Sequence, residues 1–217
     1  MNKREDLTVA GLIHDLNNVF QTLLGVASRL EEDPASLPLA AAIQRSVERG
    51  IHLTASLQNG ASPPMPVERI FENARSFIQD FQIASGHHEV RIQAEMDPGI
   101  ELTSPWEWER VLVNLFLNSL QAMPSGGTIY FTAVRKPSSI VITVADEGTG
   151  IAPEVSKHLF EPHVSTRGSS GLGLHIVHSV VHASEGTVRA ANRKGAPGAE
   201  FIITLPAKPT KTKRAHA

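Results

Sequence analysis

A polar cluster interrupts an apolar stretch near the start of the chain. The stretch "GLIHDLNNVFQTLLG", residues 11–25, carries His14, Asp15 and Asn18 among apolar residues that recur at helical spacing. A neutral imidazole is a nucleophile, and a neighbouring carboxylate can fix its tautomer by accepting a hydrogen bond from one ring nitrogen. Because a single exposed histidine is usually part of an ordinary polar face, the cluster needs support from the rest of the chain.

Two asparagines lie four residues apart in the stretch "NLFLNSLQAM", which is part of a predicted helix. Asn114 and Asn118 therefore share one helical face. An amide oxygen is a hard, neutral ligand of the kind that Mg²⁺ accepts together with water and phosphate oxygens. Asparagine inside an apolar helix is costly unless it caps the helix, reaches the surface or lines a cavity.

An acidic residue followed by two glycines forms a third group, in the stretch "ADEGTGI". Asp146 ends a predicted strand, and Gly148 and Gly150 follow it. A buried carboxylate can accept a hydrogen bond from the exocyclic amine of adenine, whereas guanine presents a carbonyl oxygen at that edge. The glycines let the backbone approach a base closely. The same pattern also occurs in turns and in calcium-binding loops.

A glycine-rich segment follows the stretch "LFEPHVSTR", residues 159–167. In "GSSGLGLHIV", residues 168–177, two glycines open a predicted helix whose free amide groups can bind phosphate. The candidate nucleotide-binding residues here are Arg167, Ser170, Gly171, Leu172 and Gly173.

Apolar periodicity predicts a helical hairpin that positions the histidine. Seven apolar residues step alternately by three and four positions and form a heptad seam: Val9, Leu12, Leu16, Val19, Leu23, Val26 and Leu30. A second apolar flank consists of Ile13, Phe20 and Ala27. His14 falls at the position farthest from the seam, so its ring is expected to face solvent. A prolyl break at residues 31–38 precedes a second helix, and two such hairpins are expected to form a dimeric four-helix bundle.

The linker "NGASPPMP" separates the hairpin from a mixed domain. Strands cluster there with helices between them and without βαβ alternation, which predicts an α/β sandwich with a mixed, mostly antiparallel sheet. The overall class is α+β. The predicted division is 1–58 for the hairpin, 59–66 for the linker, 67–206 for the mixed domain and 207–217 for a basic disordered tail.

Composition narrows the class of protein further. The chain has 217 residues, a net charge of −2 and no cysteine. The missing cysteine excludes disulfides, thiolate metal sites and thiol catalysis. The charge gives no support to nucleic-acid binding. Without an apolar run of membrane-spanning length or a signal-peptide pattern, a cytoplasmic location is expected.

In this order and spacing, the asparagine, Asp-x-Gly-x-Gly, "LFEPHVSTR" and glycine-rich stretches resemble the N, G1, F and G2 boxes of the GHKL (Bergerat-type) ATP-binding domain. "GAEFIITLP", residues 198–206, is similar to the final strand motif of that family. With "HDLNN" upstream on a helical hairpin, the chain resembles a two-component sensor histidine kinase over about residues 7–206. The sequences "HDLNN" and "NSLQAM" are similar to those in the nitrogen-regulator-like and hybrid-kinase branches of this kinase family.

The resemblance implies ATP-dependent autophosphorylation on His14, followed by transfer to an aspartate of a response-regulator receiver domain. Asp15 would be the base or orienting acid, and Asn18 matches a position that assists phosphatase activity. The receiver domain is expected to dock around Gln21, Thr22, Gly25 and Arg29, although a plain solvated face is the alternative.

The nucleotide-binding roles are implied in the same way, with ATP and Mg²⁺ as cofactors. Asn118 would bind Mg²⁺, Asn114 would assist at the phosphates, and Asp146 would contact adenine. Residues 168–173 would belong to a lid. Two alternatives stay open: a dimeric phosphotransfer protein with a vestigial ATP-binding fold, and a GHKL ATPase or serine kinase with an unrelated helical dimer module.

Three positions depart from the family pattern. Val19 replaces a common proline, so the first helix should lack the usual kink. Ser169 replaces a glycine in a short lid, and His163 replaces a common aromatic residue. None of the three removes a residue that the chemistry requires.

Overall fold

The computed structural model describes residues 3–59, 62–85, 90–162 and 171–207. The helices are α1 (Lys3–Leu30), α2 (Leu37–Asn59), α3 (Val67–Ser85), α4 (Pro105–Ala122), α5 (Pro153–Ser156) and α6 (Gly173–Ala183). The strands are β1 (Met65–Pro66), β2 (Val90–Met96), β3 (Glu101–Leu102), β4 (Gly127–Arg135), β5 (Ser139–Asp146), β6 (Thr187–Asn192) and β7 (Ala199–Pro206). None of the helices in these ranges is long and apolar enough to cross a membrane.

The chain divides into two compact units. One consists of Met1–Glu89 and Glu101–Val113, and the other of Val90–Ile100 and Asn114–Ala217. These units differ from the predicted domains, which were divided at the linker of residues 59–66. The linker as a domain boundary stays a prediction.

In the first unit, α1 and α2 form the predicted hairpin around a short 3₁₀ turn at Pro34–Ser36. The side chain of Asp33 caps this turn by accepting hydrogen bonds from the Ala35 amide (3.1 Å) and the Ser36 hydroxyl (2.8 Å). The break in the helical pattern is therefore a built turn with satisfied polar groups.

The second apolar flank, not the heptad seam, packs α1 onto α2. Ile13 and Ala27 are buried, and the ring of Phe20 lies where a Cβ on Gly50 would be. A glycine that lowers helix propensity thus makes room for an aromatic ring. Five seam residues are 37–60% exposed: Leu12, Leu16, Val19, Leu23 and Val26.

Two ion pairs tie α2 to its neighbours in the same unit. Arg45 pairs with Asp80 on α3, and Arg49 pairs with Glu109 on α4. Arg49 also donates to the Asn73 carbonyl (2.9 Å), and the Asn73 amide donates to Glu109 (2.9 Å). Because the Glu109 side chain is only 4% exposed, its charge depends on these partners.

Glu109→Ala should lower the free energy of unfolding by about 3 kcal/mol, since it leaves the Arg49 guanidinium, 15% exposed, without its carboxylate. Urea titration followed by circular dichroism measures this loss. The matched control is Glu72→Ala, which breaks the exposed Glu72–Arg75 pair and should cost less than about 0.5 kcal/mol. Equal losses for the two variants would contradict the structural role of the buried pair.

The second unit is built on a five-stranded sheet in the order β2-β4-β5-β7-β6. β2 runs parallel to β4, and the other neighbouring strands are antiparallel. The predicted mixed, mostly antiparallel sheet is therefore confirmed. Side chains alternate between the two faces of a strand, so Asp146 lies on the buried face of β5 together with Ile142 and Val144.

Three short elements were not expected from the sequence. β1 and β3 pair Met65 with Leu102 and Pro66 with Glu101, so the last two residues of the predicted linker form a strand. The four-residue α5 follows the loop after β5. Each is too short for periodicity to indicate it.

Candidate functional site

A cavity of about 440 Å³ opens beside the end of β5 in the second unit. α4 contributes Asn118, Gln121 and Ala122 to its lining, the loop after β5 contributes residues 149–152, and the start of α6 contributes Gly171, Gly173 and Leu174. Asp146, Ala199 and Phe201 line it from the sheet. The cavity has the size of a small-molecule site, with polar groups among apolar walls.

Asp146 is the carboxylate at the floor of this cavity and is only 2% exposed. Its Oδ1 accepts from the backbone amides of Gly148 (2.9 Å) and Ala199 (3.1 Å). Its Oδ2 accepts from the hydroxyl of Ser119 (3.1 Å). A carboxylate offers about four lone-pair positions, so one position on Oδ2 is left for a ligand donor.

The predicted glycines that follow Asp146 lie at positions where larger residues would not fit. A Cβ on Gly148 would come within 2.6 Å of the Ala122 Cβ. Gly150 has a φ of +75°, and a Cβ there would lie 2.7 Å from Asn192 Oδ1. Both glycines therefore allow the loop to fold tightly over the end of α4 and the edge of the sheet.

Gly198 is the tightest of these positions. Its φ is +106°, and a Cβ would overlap the carbonyl oxygen of Asp146. Gly198→Ala should therefore displace Asp146 and lower the free energy of unfolding by roughly 3 kcal/mol or more. Thermal unfolding gives the stability change, and nucleotide titration gives the effect on the site.

The matched control for Gly198→Ala is Gly195→Ala. Gly195 also has a positive φ (+74°), but no atom lies within 4 Å of the position its Cβ would take. Its replacement should cost only about 1–2 kcal/mol from the left-handed backbone. A similar cost at both positions would show that the close approach to Asp146 is unimportant.

The two predicted asparagines lie in the second half of α4, and of the two only Asn118 is among the described residues that line the cavity. Asn118 lines the cavity, and its Nδ2 is buried without a hydrogen-bond partner among the described residues. A Cβ on Gly173 would lie 2.8 Å from Asn114 Oδ1, so Asn114 packs against the start of α6. A buried amide donor without a partner, near a helix that begins at a glycine, suits a ligand that carries phosphate oxygens. The amide oxygen of the same side chain suits a hard cation such as Mg²⁺.

The glycine-rich segment is only partly described. α6 begins at Gly173, two residues later than expected, and Gly171 has a φ of +66°. Leu172 precedes the helix and is 37% exposed. Arg167 and Ser170, and also His163 and Ser169, lie outside the described residues.

Three site residues were missed by sequence reasoning: Ser119, Asn192 and Arg193. The Asn192 side chain pairs with both backbone groups of Ile151, at 2.6 Å to the amide and 3.1 Å to the carbonyl. Arg193 donates to the carbonyl of Asp146 (3.0 Å). These residues hold Asp146 and the loop after β5, and motif spacing did not indicate them.

Glu147, next to Asp146, is directed elsewhere. It accepts from the Tyr130 hydroxyl (2.7 Å) and the Thr128 amide (2.9 Å). The hydrogen bond from Tyr130, followed by those from Thr128, lowers the pKa of Glu147. Since Glu147 is outside the cavity lining, the two adjacent carboxylates have separate roles.

The polar cluster on α1 is exposed, as the heptad pattern predicts. The side chains of His14 and Asp15 are 76% and 80% exposed. Asp15 Oδ1 lies 3.5 Å from His14 Nδ1, and Asn18 Nδ2 lies 3.4 Å from the same nitrogen. In the tautomer with the proton on Nδ1, Asp15 Oδ1 is the acceptor for that proton and Nε2 keeps the lone pair, which makes Nε2 the candidate nucleophilic atom; the Asn18 amide, itself a donor, is then only a neighbour of Nδ1.

The chain is similar in sequence to known histidine kinases and to one family of ATPases. Residues 104–209 match the family described as histidine kinase-, DNA gyrase B-, and HSP90-like ATPase. The sensor histidine kinase ZraS of Escherichia coli O157:H7 is 28% identical over 226 residues, which cover 97% of this chain and 49% of ZraS. The sensory histidine kinase/phosphatase NtrB of Klebsiella oxytoca is 30% identical over 215 residues, covering 91% of this chain and 61% of NtrB. The chain thus spans about half to three fifths of the length of these curated relatives.

Solved structures show the same fold. The mycobacterial sensor histidine kinase MprB aligns with a TM-score of 0.58 at 22% identity, covering 68% of this chain and 98% of that one. Full-length ShkA in complex with AMPPNP aligns with a TM-score of 0.58 at 24% identity, covering 92% of this chain and 45% of that one. Together the matches confirm the predicted fold class and the resemblance to sensor histidine kinases with a GHKL ATPase domain.

Proposed function

We propose that this chain, whose residues 104–209 match the family of histidine kinase-, DNA gyrase B-, and HSP90-like ATPases, is an ATP-dependent protein-histidine kinase that phosphorylates His14. The observation that carries the proposal is Asp146. A buried carboxylate faces a cavity of about 440 Å³, with one lone-pair position available to the exocyclic amine of adenine.

The rest of the cavity suits the phosphates and a cation. Asn118 offers an unpaired buried donor together with an amide oxygen, and glycines at the start of α6 bring backbone amides close. Bound ATP supplies the phosphoryl group, and Mg²⁺ shields its charge. ShkA, a structural neighbour, is in complex with the nucleotide analogue AMPPNP, which supports the assignment of the ligand class.

His14 is the proposed acceptor because its ring is exposed and its Nδ1 has a carboxylate neighbour. In this role Asp15 Oδ1 accepts a hydrogen bond from Nδ1–H, so the lone pair on Nε2 is free to attack the γ-phosphorus of ATP. The N–P bond would form as the bond from that phosphorus to the bridging oxygen breaks and ADP leaves. Asp15 also stabilises the positive charge that develops on the ring. Asn18, one turn along α1, approaches the same ring nitrogen, and we assign it to phosphatase activity toward the partner.

A homodimer is part of the proposal. The exposed heptad seam is a contiguous apolar stripe that the hairpin does not cover itself, with Leu12 60% and Val19 54% exposed. A second copy of the hairpin would bury this stripe in a four-helix bundle.

The proposed recipient of the phosphoryl group is an aspartate on a response-regulator receiver domain. Four polar or small residues follow His14 along the exposed surface of α1: Gln21, Thr22, Gly25 and Arg29. Relatives named as sensor histidine kinases, including NtrB, which is also named a phosphatase, support this partner class and a bifunctional protein.

The test is incubation of the full chain with γ-labelled ATP and Mg²⁺. The expected product is labelled protein whose label is lost in acid and stable in base, as for a phosphoramidate, and passes to receiver domains in a panel. Absence of both ATP binding and label would favour a phosphotransfer protein with a vestigial ATP-binding fold. ATP binding without label would favour an ATPase, and acid-stable label would favour a serine kinase. Each of these three results would overturn the proposal.

A further inference from the structure

The hydrogen bonds to Asp146 are divided unequally between its two oxygens. Oδ1 accepts two backbone amides, from Gly148 and Ala199, while Oδ2 accepts a single side-chain hydroxyl, from Ser119. Oδ1 is thus held by backbone groups, which a side-chain substitution leaves in place. Oδ2 is held by a side-chain hydroxyl, which a substitution of Ser119 removes.

Ser119 cannot contact a nucleotide directly. The residue is 1% exposed and is not part of the cavity lining, although it follows Asn118 on α4 and precedes two lining residues. Its hydroxyl therefore reaches the cavity only through Asp146.

From this geometry we infer that Ser119 is a positioning residue that makes the cavity selective for a purine with an exocyclic amine, because its hydroxyl fixes Asp146 Oδ2. The inference rests on the proposed function, in which this cavity binds ATP. A carboxylate held at both oxygens cannot turn about its Cβ–Cγ bond. The second lone pair of Oδ2 then keeps one direction, and the amine of adenine meets an acceptor that is already oriented.

The experiment compares two nucleotides in Ser119→Ala. ATP carries the exocyclic amine, and purine riboside triphosphate lacks it but is otherwise the same. The variant should bind ATP about tenfold more weakly, because Oδ2 is no longer oriented before the amine arrives, and should bind the analogue less than about twofold more weakly. Competition titration with the full chain measures all four affinities.

Two further variants separate positioning from general support of the fold. Ser179→Ala makes the same chemical change at an exposed serine of α6 that donates to the His175 carbonyl (2.9 Å), and it should change neither affinity. Ser119→Cys keeps a side chain of similar size but offers a weaker donor, so it should also lose ATP affinity selectively.

The outcomes distinguish this inference from the proposed function. A selective loss for ATP in both Ser119 variants supports the inference. An equal loss for both nucleotides, or no loss, overturns it and leaves the proposed function intact. If the unmodified chain binds neither nucleotide, the proposed function fails and the inference fails with it.

Discussion

Replacing His14 with glutamine is expected to abolish the acid-labile label that γ-labelled ATP transfers to the chain. Glutamine is polar and similar in length, but its amide nitrogen has no lone pair available for attack on phosphorus. The side chain at this position is 76% exposed, so the fold should tolerate the change. ATP affinity should stay within about twofold, because the described residues that line the cavity lie between Asn118 and Phe201.

The matched control is His158→Gln. His158 is also exposed (58%) and also has a carboxylate neighbour, Glu161 at 2.7 Å. If a histidine beside an acid were sufficient, both variants would lose label; we expect His158→Gln to be labelled fully. If His14→Gln still acquired acid-labile label, the acceptor would be another residue, and the assignment of His14 would be wrong.

The sheet could be predicted from the sequence because its strands are short runs rich in β-branched residues between turn signals. In β5, Ile140, Ile142 and Val144 share the buried face with Asp146, but residues on the other face are apolar too, so the alternation alone does not decide which face is buried. The mostly antiparallel arrangement was expected from the lack of repeated βαβ alternation, and the parallel pair of β2 with β4 is the one that α4 separates along the chain. β1 and β3 could not be predicted, since two residues carry no period.

The hairpin shows a different limit of sequence reasoning. The heptad seam and the flank of Ile13, Phe20 and Ala27 are both apolar stripes on one helix, and periodicity does not say which one faces α2. The choice depends on shape, because Gly50 leaves a space that the ring of Phe20 fills. Such complementarity between residues on two different helices is visible only in three dimensions.

In the candidate site, too, some residues could be predicted from the sequence and others could not. A motif fixes the spacing of the predicted residues, and the structure brings five of them to the lining of one cavity: Asn118, Asp146, Gly150, Gly171 and Gly173. Asn192 and Arg193 were missed because they reach Asp146 and its loop only through the pairing of β6 with β7, far along the chain from β5. Their types and spacing carry no signal without that register.

Asp146→Asn is expected to weaken ATP binding at least about 100-fold while the protein stays folded. The two backbone amides at Oδ1 require an acceptor, so the asparagine oxygen will face Gly148 and Ala199. Its NH₂ group must then face the Ser119 hydroxyl and the cavity, where it opposes the amine of adenine donor to donor. The loss of a charge-assisted hydrogen bond together with this opposition corresponds to about 3 kcal/mol.

The neighbouring carboxylate gives the matched control. Glu147→Gln removes the same charge one residue away, but its partners are Tyr130 and Thr128, so ATP affinity should change less than about twofold. The preference for ATP over GTP should fall in Asp146→Asn and not in Glu147→Gln, because the new NH₂ group can donate to the carbonyl oxygen of guanine. Isothermal titration with both nucleotides measures this preference. If the two variants weakened ATP binding equally, general electrostatics rather than contact with the base would explain the site, and Asp146 would lose its role in reading adenine.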